Sequence, residues 1–151
     1  MTILSRFAVR HMAAALALPL LTCAQPAEAE PFRGPVEADV LAVIDGDTFL
    51  AEAHVWPGQS VRINVRVRGI DAPEMHSRCP AEQRSALRAR AALEALIGNG
   101  AVSISNIGSA KYYGRVLADV ETEDGVPVGA VMLSGGLVRA YAGGRRQSWC
   151  G

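Results

Sequence analysis

The 151-residue chain carries 15 Lys+Arg and 15 Asp+Glu, so its formal net charge at pH 7 is zero. That length suggests one domain. The charge balance excludes binding of nucleic acid through a broadly basic surface, so any anion site must be local, built from a few placed cations.

In chain order, residues 1–29 read as a signal peptide. Arg6, Arg10 and His11 form a positive start, and Ala13 to Leu21 is an apolar run too short to span a bilayer comfortably. Ala27-Glu28-Ala29 fits the small-x-small cleavage rule, which places the mature start near Glu30. Leu20-Leu21-Thr22-Cys23 resembles a lipobox, but threonine before the cysteine fits it poorly, so lipidation at Cys23 is not expected. Cleavage would remove two of the 15 basic residues and one of the 15 acidic ones, leaving a net charge of −1. No later segment has the apolar length of a transmembrane helix. The chain is therefore expected to be secreted or periplasmic, with no stable membrane insertion, and to be a monomer. Cys79 and Cys150 remain after cleavage. An even count in an exported protein suggests one disulfide, with two free thiols as the other possibility.

After a proline-flanked lead-in, ADVLAVI (38–44) predicts a strand, Asp45-Gly46-Asp47 a turn and TFLAEAHV (48–55) a second strand. Trp56-Pro57-Gly58-Gln59 turns into VRINVRVR (61–68), whose strict alternation puts valine and isoleucine on one face. Arg62, Asn64, Arg66 and Arg68 share the other. Asp71 ends this third strand. Pro80 to Ile97 predicts a helix, with proline in its first turn and Gly98 as its stop. Its apolar stripe is Ala86, Ala89, Leu93, Leu96 and Ile97. Arg84, Arg88, Arg90 and Glu94 face solvent. AVSISNI (101–107) and VLADVET (116–122) predict two more strands, and Glu123-Asp124-Gly125 a hairpin turn. Val128 to Leu133 predicts a short helix closed by Gly135-Gly136, Leu137 to Tyr141 is short and apolar, and the tail GGRRQSWCG is irregular. The fold class is α+β, mainly β: a five-stranded Greek-key OB-type barrel with one main helix and a short second one. The barrel domain spans residues 30–141, and residues 142–151 form a tail, tethered if Cys79 and Cys150 pair.

RVRGIDAPE (66–74) sets cations, then Asp71 and Glu74, within nine residues. A salt-bridged turn would account for it, and so would a site for a phosphate and a metal ion. Asp47 follows the first strand. If the strand ends meet, Asp47 and Asp71 with a backbone carbonyl and water suit a hard cation such as Ca²⁺, with Asp45 holding a metal-bound water. Alone, Asp-Gly-Asp is most often only a turn. Pro73 stiffens the approach to Glu74, which is placed to act on a water, or else is a solvated or helix-capping glutamate. Arg66 and Arg115 are two guanidiniums able to fork a phosphate from two sides, although singly each is commonly a surface charge.

VIDGDTF, RVRGIDAPE and KYYGRVLADV, in that order, resemble the thermonuclease family, the staphylococcal-nuclease-like proteins; GAVMLSGGLVRAY resembles that family's later helix and strand. The resemblance covers about residues 38–141. It implies calcium held by Asp47, Asp71 and the backbone carbonyl of Ala72, with Glu74 as general base. It further implies Arg66 and Arg115 as catalytic, phosphate-binding arginines and Tyr113 beside the bound nucleotide. The implied reaction is hydrolysis of DNA or RNA phosphodiesters, preferably single-stranded, leaving 3′-phosphates. Three departures stand out. The AEAHVWPGQS hairpin is longer, Gly129 stands where the family often starts a helix with asparagine, and the family's long C-terminal helix has no counterpart in the ten residues after Tyr141. A non-catalytic barrel that binds nucleic acid or protein in the envelope is the alternative, but it has no need of Asp47, Asp71, Glu74, Arg66 and Arg115 together. A structural calcium-binding protein would not need the two arginines.

Overall fold

The computed structural model describes residues 30–110 and 114–150. The expected signal peptide with Cys23, and Tyr113, fall outside that range. β1 (Val36–Val43), β2 (Thr48–Trp56) and β3 (Gln59–Val67) form an antiparallel meander. A two-residue strand, β4 (Ile70–Asp71), precedes α1 (Pro80–Ile97). Then follow β5 (Ala101–Ser109), β6 (Arg115–Thr122), α2 (Val128–Ser134) and β7 (Arg139–Ala140). The barrel closes in the order β1-β2-β3-β6-β5, with β3 and β6 its parallel pair and β5 returning to β1. This is the expected five-stranded barrel, mainly β, with one long and one short helix.

Period-two patterning explains the barrel interior. Phe49, Ala51, Val65, Val67, Val102, Ile104, Ala118 and Val120 are buried, while their strand neighbours other than Thr48 are more exposed. The period-3.6 stripe on α1 explains its seat: Ala86, Ala89, Leu93 and Ile97 are buried. The helix bounds coincide with those predicted. Arg90 differs from its predicted place on the solvated face. It is half-buried, and its Nε donates to the Val43 carbonyl at 3.1 Å, so it ties α1 to the end of β1.

Three more expectations need correction. Asp71 does not end β3. That strand stops at Val67, the chain turns through Arg68-Gly69, and Asp71 sits in β4, which pairs with β7. The Gly69 turn has φ +80°, a conformation that glycine adopts without strain. Glu123-Asp124-Gly125 does turn the chain, but the return is a single bridge, Glu121 to Pro127, before α2 begins. The residue capping α2 is Pro127, and Gly129 lies inside the first turn beside Val67 and the Arg68 carbonyl.

Gly46 holds the Asp45–Asp47 turn against the helix. A Cβ there would stand 2.5 Å from the Ala89 Cβ and 2.9 Å from the Ala72 Cβ. Glycine is required here for close approach. Cys79 and Cys150 form a disulfide across 71 residues, which fastens the tail to the residue capping α1.

Gly46→Ala should therefore destabilise the fold by about 1–3 kcal/mol through overpacking, measured by urea unfolding. Cys150→Ser should lower stability by up to roughly 4 kcal/mol on the chain-entropy estimate, and reduction of the wild-type protein should reproduce that loss in the same assay.

Candidate functional site

The turn after β1 aims Asp47 into the mouth of the barrel, where it is 2% exposed. Its backbone N–H donates to Asp45 Oδ1 at 3.0 Å, and its carbonyl accepts from Val67 N–H at 2.9 Å, so both sides of the turn are fixed. The carboxylate takes three further hydrogen bonds. Thr48 Oγ1 and Arg66 Nη1 donate to Oδ1 at 2.8 and 2.5 Å, and the Ala72 N–H donates to Oδ2 at 2.8 Å.

Sheet register brings Arg66 there. Arg66 lies opposite Thr48 on the face of β3 that points away from the core, as the alternation predicts. Its Nη2 reaches the Ile70 carbonyl at 3.3 Å and Asp71 Oδ1 at 3.4 Å. One guanidinium thus bridges both buried carboxylates, because Asp71 is only 4% exposed. The parallel pairing of β3 with β6 sets Asn64 opposite Arg115, which places Arg115 one pleat from Arg66 on the same face. Arg66, Glu74, Arg115 and Tyr141 line one groove of about 800 Å³.

The Ala72-Pro73 segment is buried, and Glu74 emerges from it to the rim with its side chain 59% exposed. Two residues that the sequence reading passed over hold this segment. Glu82, in the first turn of α1, is 9% exposed. Its Oε1 accepts the Glu74 N–H at 3.0 Å and its Oε2 the Ser77 hydroxyl at 2.6 Å, which fixes where Glu74 leaves the backbone. An acid in the first turn of a helix is a recognisable signal of this kind. Arg146, in the tail, is the second. Its Nε pairs with Asp71 Oδ1 at 2.6 Å, its Nη2 donates to the Ala72 carbonyl at 2.6 Å, and its Nη1 pairs with Glu74 Oε1.

The structure thus gathers Asp47 and Asp71 on Arg66, and Asp71, the Ala72 carbonyl and Glu74 on Arg146, with Asp45 behind Asp47 and Arg115 along the same groove. The available donors are all oxygen, which suits a hard cation such as Ca²⁺. No group of three or more His, Cys, Asp or Glu side chains converges among the described residues, so an ion would rest on two carboxylates, the Ala72 carbonyl and water. The electrostatics agree. Burial first, and Asp45 second, raise the Asp47 pKa from 3.8 to about 6, against the lowering effects of Arg66, the Ala72 N–H and Thr48. Burial thus disfavours the ionised form of Asp47, and a nearby cation would favour it.

Residues 64–148, more than half of the chain, match the family model of staphylococcal nuclease homologues. Arg66, Asp71, Glu74, Arg115 and Arg146 lie within the matched stretch, and Asp47 precedes it. No curated protein matches the chain.

The raised pKa has a definite sign in stability. Between about pH 4 and 6 folded Asp47 keeps a proton that the unfolded chain has released, so its contribution to stability falls as pH rises through that window. The loss is roughly 3 kcal/mol in all. A carbon-13 carboxyl titration of calcium-free protein should show Asp47 with a midpoint near 6. Arg66→Gln should move that midpoint upward, since the guanidinium opposes burial.

Proposed function

The chain belongs to the staphylococcal nuclease homologue family, and on that footing we propose that it is a calcium-dependent nuclease cleaving DNA or RNA. The observation that carries this reading is that Arg66 links Asp47 to Asp71, and Arg146 links Asp71 to the Ala72 carbonyl and Glu74, beside a groove lined by Arg66 and Arg115. A lone salt-bridged turn needs neither the groove nor Arg115.

Asp47, Asp71 and the Ala72 carbonyl would hold the calcium ion. When bound, it supplies positive charge to a phosphate oxygen of the substrate. Glu74, exposed at the rim and fixed through its N–H by Glu82, takes the proton of the attacking water. Arg66 and Arg115 direct guanidiniums at the phosphate and stabilise the charge that grows as the water oxygen bonds to phosphorus. The 5′-oxygen leaves and is protonated, so the phosphate stays on the 3′ side. Tyr141 lines the groove and offers a ring face to an unstacked base, which favours single strands. Tyr113 is assigned a neighbouring role by the resemblance alone.

The protein acts outside the cytoplasm in this reading, secreted or periplasmic and monomeric, after cleavage near Ala29-Glu30. The disulfide is consistent with an oxidising compartment. No helix among the described residues is long and apolar enough to cross a membrane.

Purified protein incubated with single-stranded DNA should cleave it in calcium and not in chelator. Glu74→Ala should lose on the order of 10²–10⁴ in rate, and Arg115→Ala on the order of 10²–10³. The rate should fall in acid, where protons compete with calcium for Asp47, and hold into alkaline pH. A rate maximum below pH 6 would contradict these roles. Folded, monodisperse protein without cleavage would leave a barrel that binds nucleic acid or protein.

A further inference from the structure

The tail is a built part of the site. On one side of Arg146, Tyr141 donates its hydroxyl to the Gly144 carbonyl at 2.7 Å. On the other, Arg139 donates to the Ser148 carbonyl at 2.9 Å and stacks over the Trp149 ring at 3.9 Å. The Cys79–Cys150 disulfide closes the arrangement four residues further along. The Arg146 guanidinium is therefore presented by a fixed loop, with its side chain 36% exposed.

Its three nitrogens take one oxygen each from Asp71, Ala72 and Glu74. Two of these, the Asp71 carboxylate and the Ala72 carbonyl, are the oxygens that calcium would need, at about 2.3–2.6 Å. The third belongs to the proposed base. A guanidinium and a divalent cation both draw on the same lone pairs and repel each other, so the two cannot hold this cradle together. Arg66 contacts Asp47 and Asp71 from the inner side, and in the proposed reaction it gives them up to calcium and turns to the phosphate.

We infer that Arg146 is an internal competitor for the metal, an alternative occupant of the Asp71–Ala72–Glu74 cradle held in place by the disulfide-anchored tail. This rests on the calcium reading of the site. The tether keeps the local concentration of the guanidinium high whatever the protein concentration. If Arg146 holds the cradle nine-tenths of the time, apparent calcium affinity is lowered about tenfold. Displaced, the guanidinium stays at the edge of the groove that Arg66 and Arg115 line. Metal binding and release of Glu74 from its ion pair then become a single event.

The test is calcium binding by isothermal titration calorimetry, with no substrate present. The proteins are wild type, Arg146→Gln, Cys79→Ser/Cys150→Ser, and the triple variant, each checked for native circular dichroism. Arg146→Gln should bind calcium about tenfold or more tightly than wild type. Loss of the disulfide should tighten binding in the same direction, but not further once Arg146 is gone, because both act through one contact. Equal affinity in wild type and Arg146→Gln would overturn the competition while leaving the calcium reading intact. Weaker binding in Arg146→Gln would overturn it in favour of a guanidinium that merely positions the oxygens. Binding by neither protein at millimolar calcium would remove the calcium reading itself, and the competition with it. If the disulfide variants fail to fold, Arg146→Gln with its disulfide intact decides alone.

Discussion

Two carboxylates buried at one end of a small barrel are the constraint on which the rest of the molecule depends. Asp47 and Asp71 are nearly sealed from water, and buried charge is costly unless it is paired and hydrogen-bonded. The surroundings are organised accordingly. Arg66 spans the two carboxylates, the Ala72 N–H and Thr48 hydroxyl cap Asp47, and Arg146 reaches in from the tail. Even so, Asp47 stays hard to ionise. A fold optimised for stability alone would replace such a pair with apolar side chains, and retaining it in strained electrostatic balance is typical of a working site.

The same constraint explains the backbone. Asp47 reaches the Ala72 N–H only because the Asp45–Asp47 turn and the Ala72 segment both pack closely against α1, and Gly46 leaves room for that approach. β4 and β7, two residues each, add almost nothing to the core. Their pairing fixes the backbone of Asp71 instead. Glu82 does the corresponding task for Glu74 from the first turn of α1. Small elements and close contacts cluster where the charges are.

This division also explains what the sequence disclosed. The barrel strands and α1 follow from local periodicity, which VRINVRVR and the Ala86–Ile97 stripe display over many residues; the bounds of α1 coincide with its proline and glycine signals. The Arg66 face could be read from alternation, whereas its partners could not, because they lie on the next strand and beyond a turn. The two-residue β4 is too short to have a period, so the sequence pattern alone runs Asp71 into the preceding strand. Helical spacing puts Arg90 on the solvated face because it does not reveal that the end of β1 offers a carbonyl. Arg146 is the instructive omission. It lies 72 positions after Glu74, and no local pattern marks it. Yet Cys79 follows Glu74 by five residues and Cys150 follows Arg146 by four. Once those cysteines are paired, a few residues of chain, each spanning at most about 3.6 Å, bring the tail arginines within reach of Glu74.

The tail also bears on how a chain without net charge could hold a polyanion. Non-specific affinity for nucleic acid comes mainly from cations that displace counterions along the phosphate backbone, and a formal charge of zero supplies no broad attraction. Arg66, Arg68, Arg115 and Arg146 line one groove, and Arg66 and Arg146 meet its buried Asp71. Arg66 bridges Asp47 and Asp71 from the inner side and can turn to a phosphate only once another cation satisfies those buried carboxylates. Arg146 is held at a half-exposed rim, where its carboxylate partners can be taken over by another cation. The groove's capacity for phosphate is then a consequence of how its own acids are neutralised: an ion that satisfies Asp71 frees a guanidinium for the substrate. In a protein with no excess of positive charge, the proposed exchange of partners inside the site would present a further cation when a phosphate arrives.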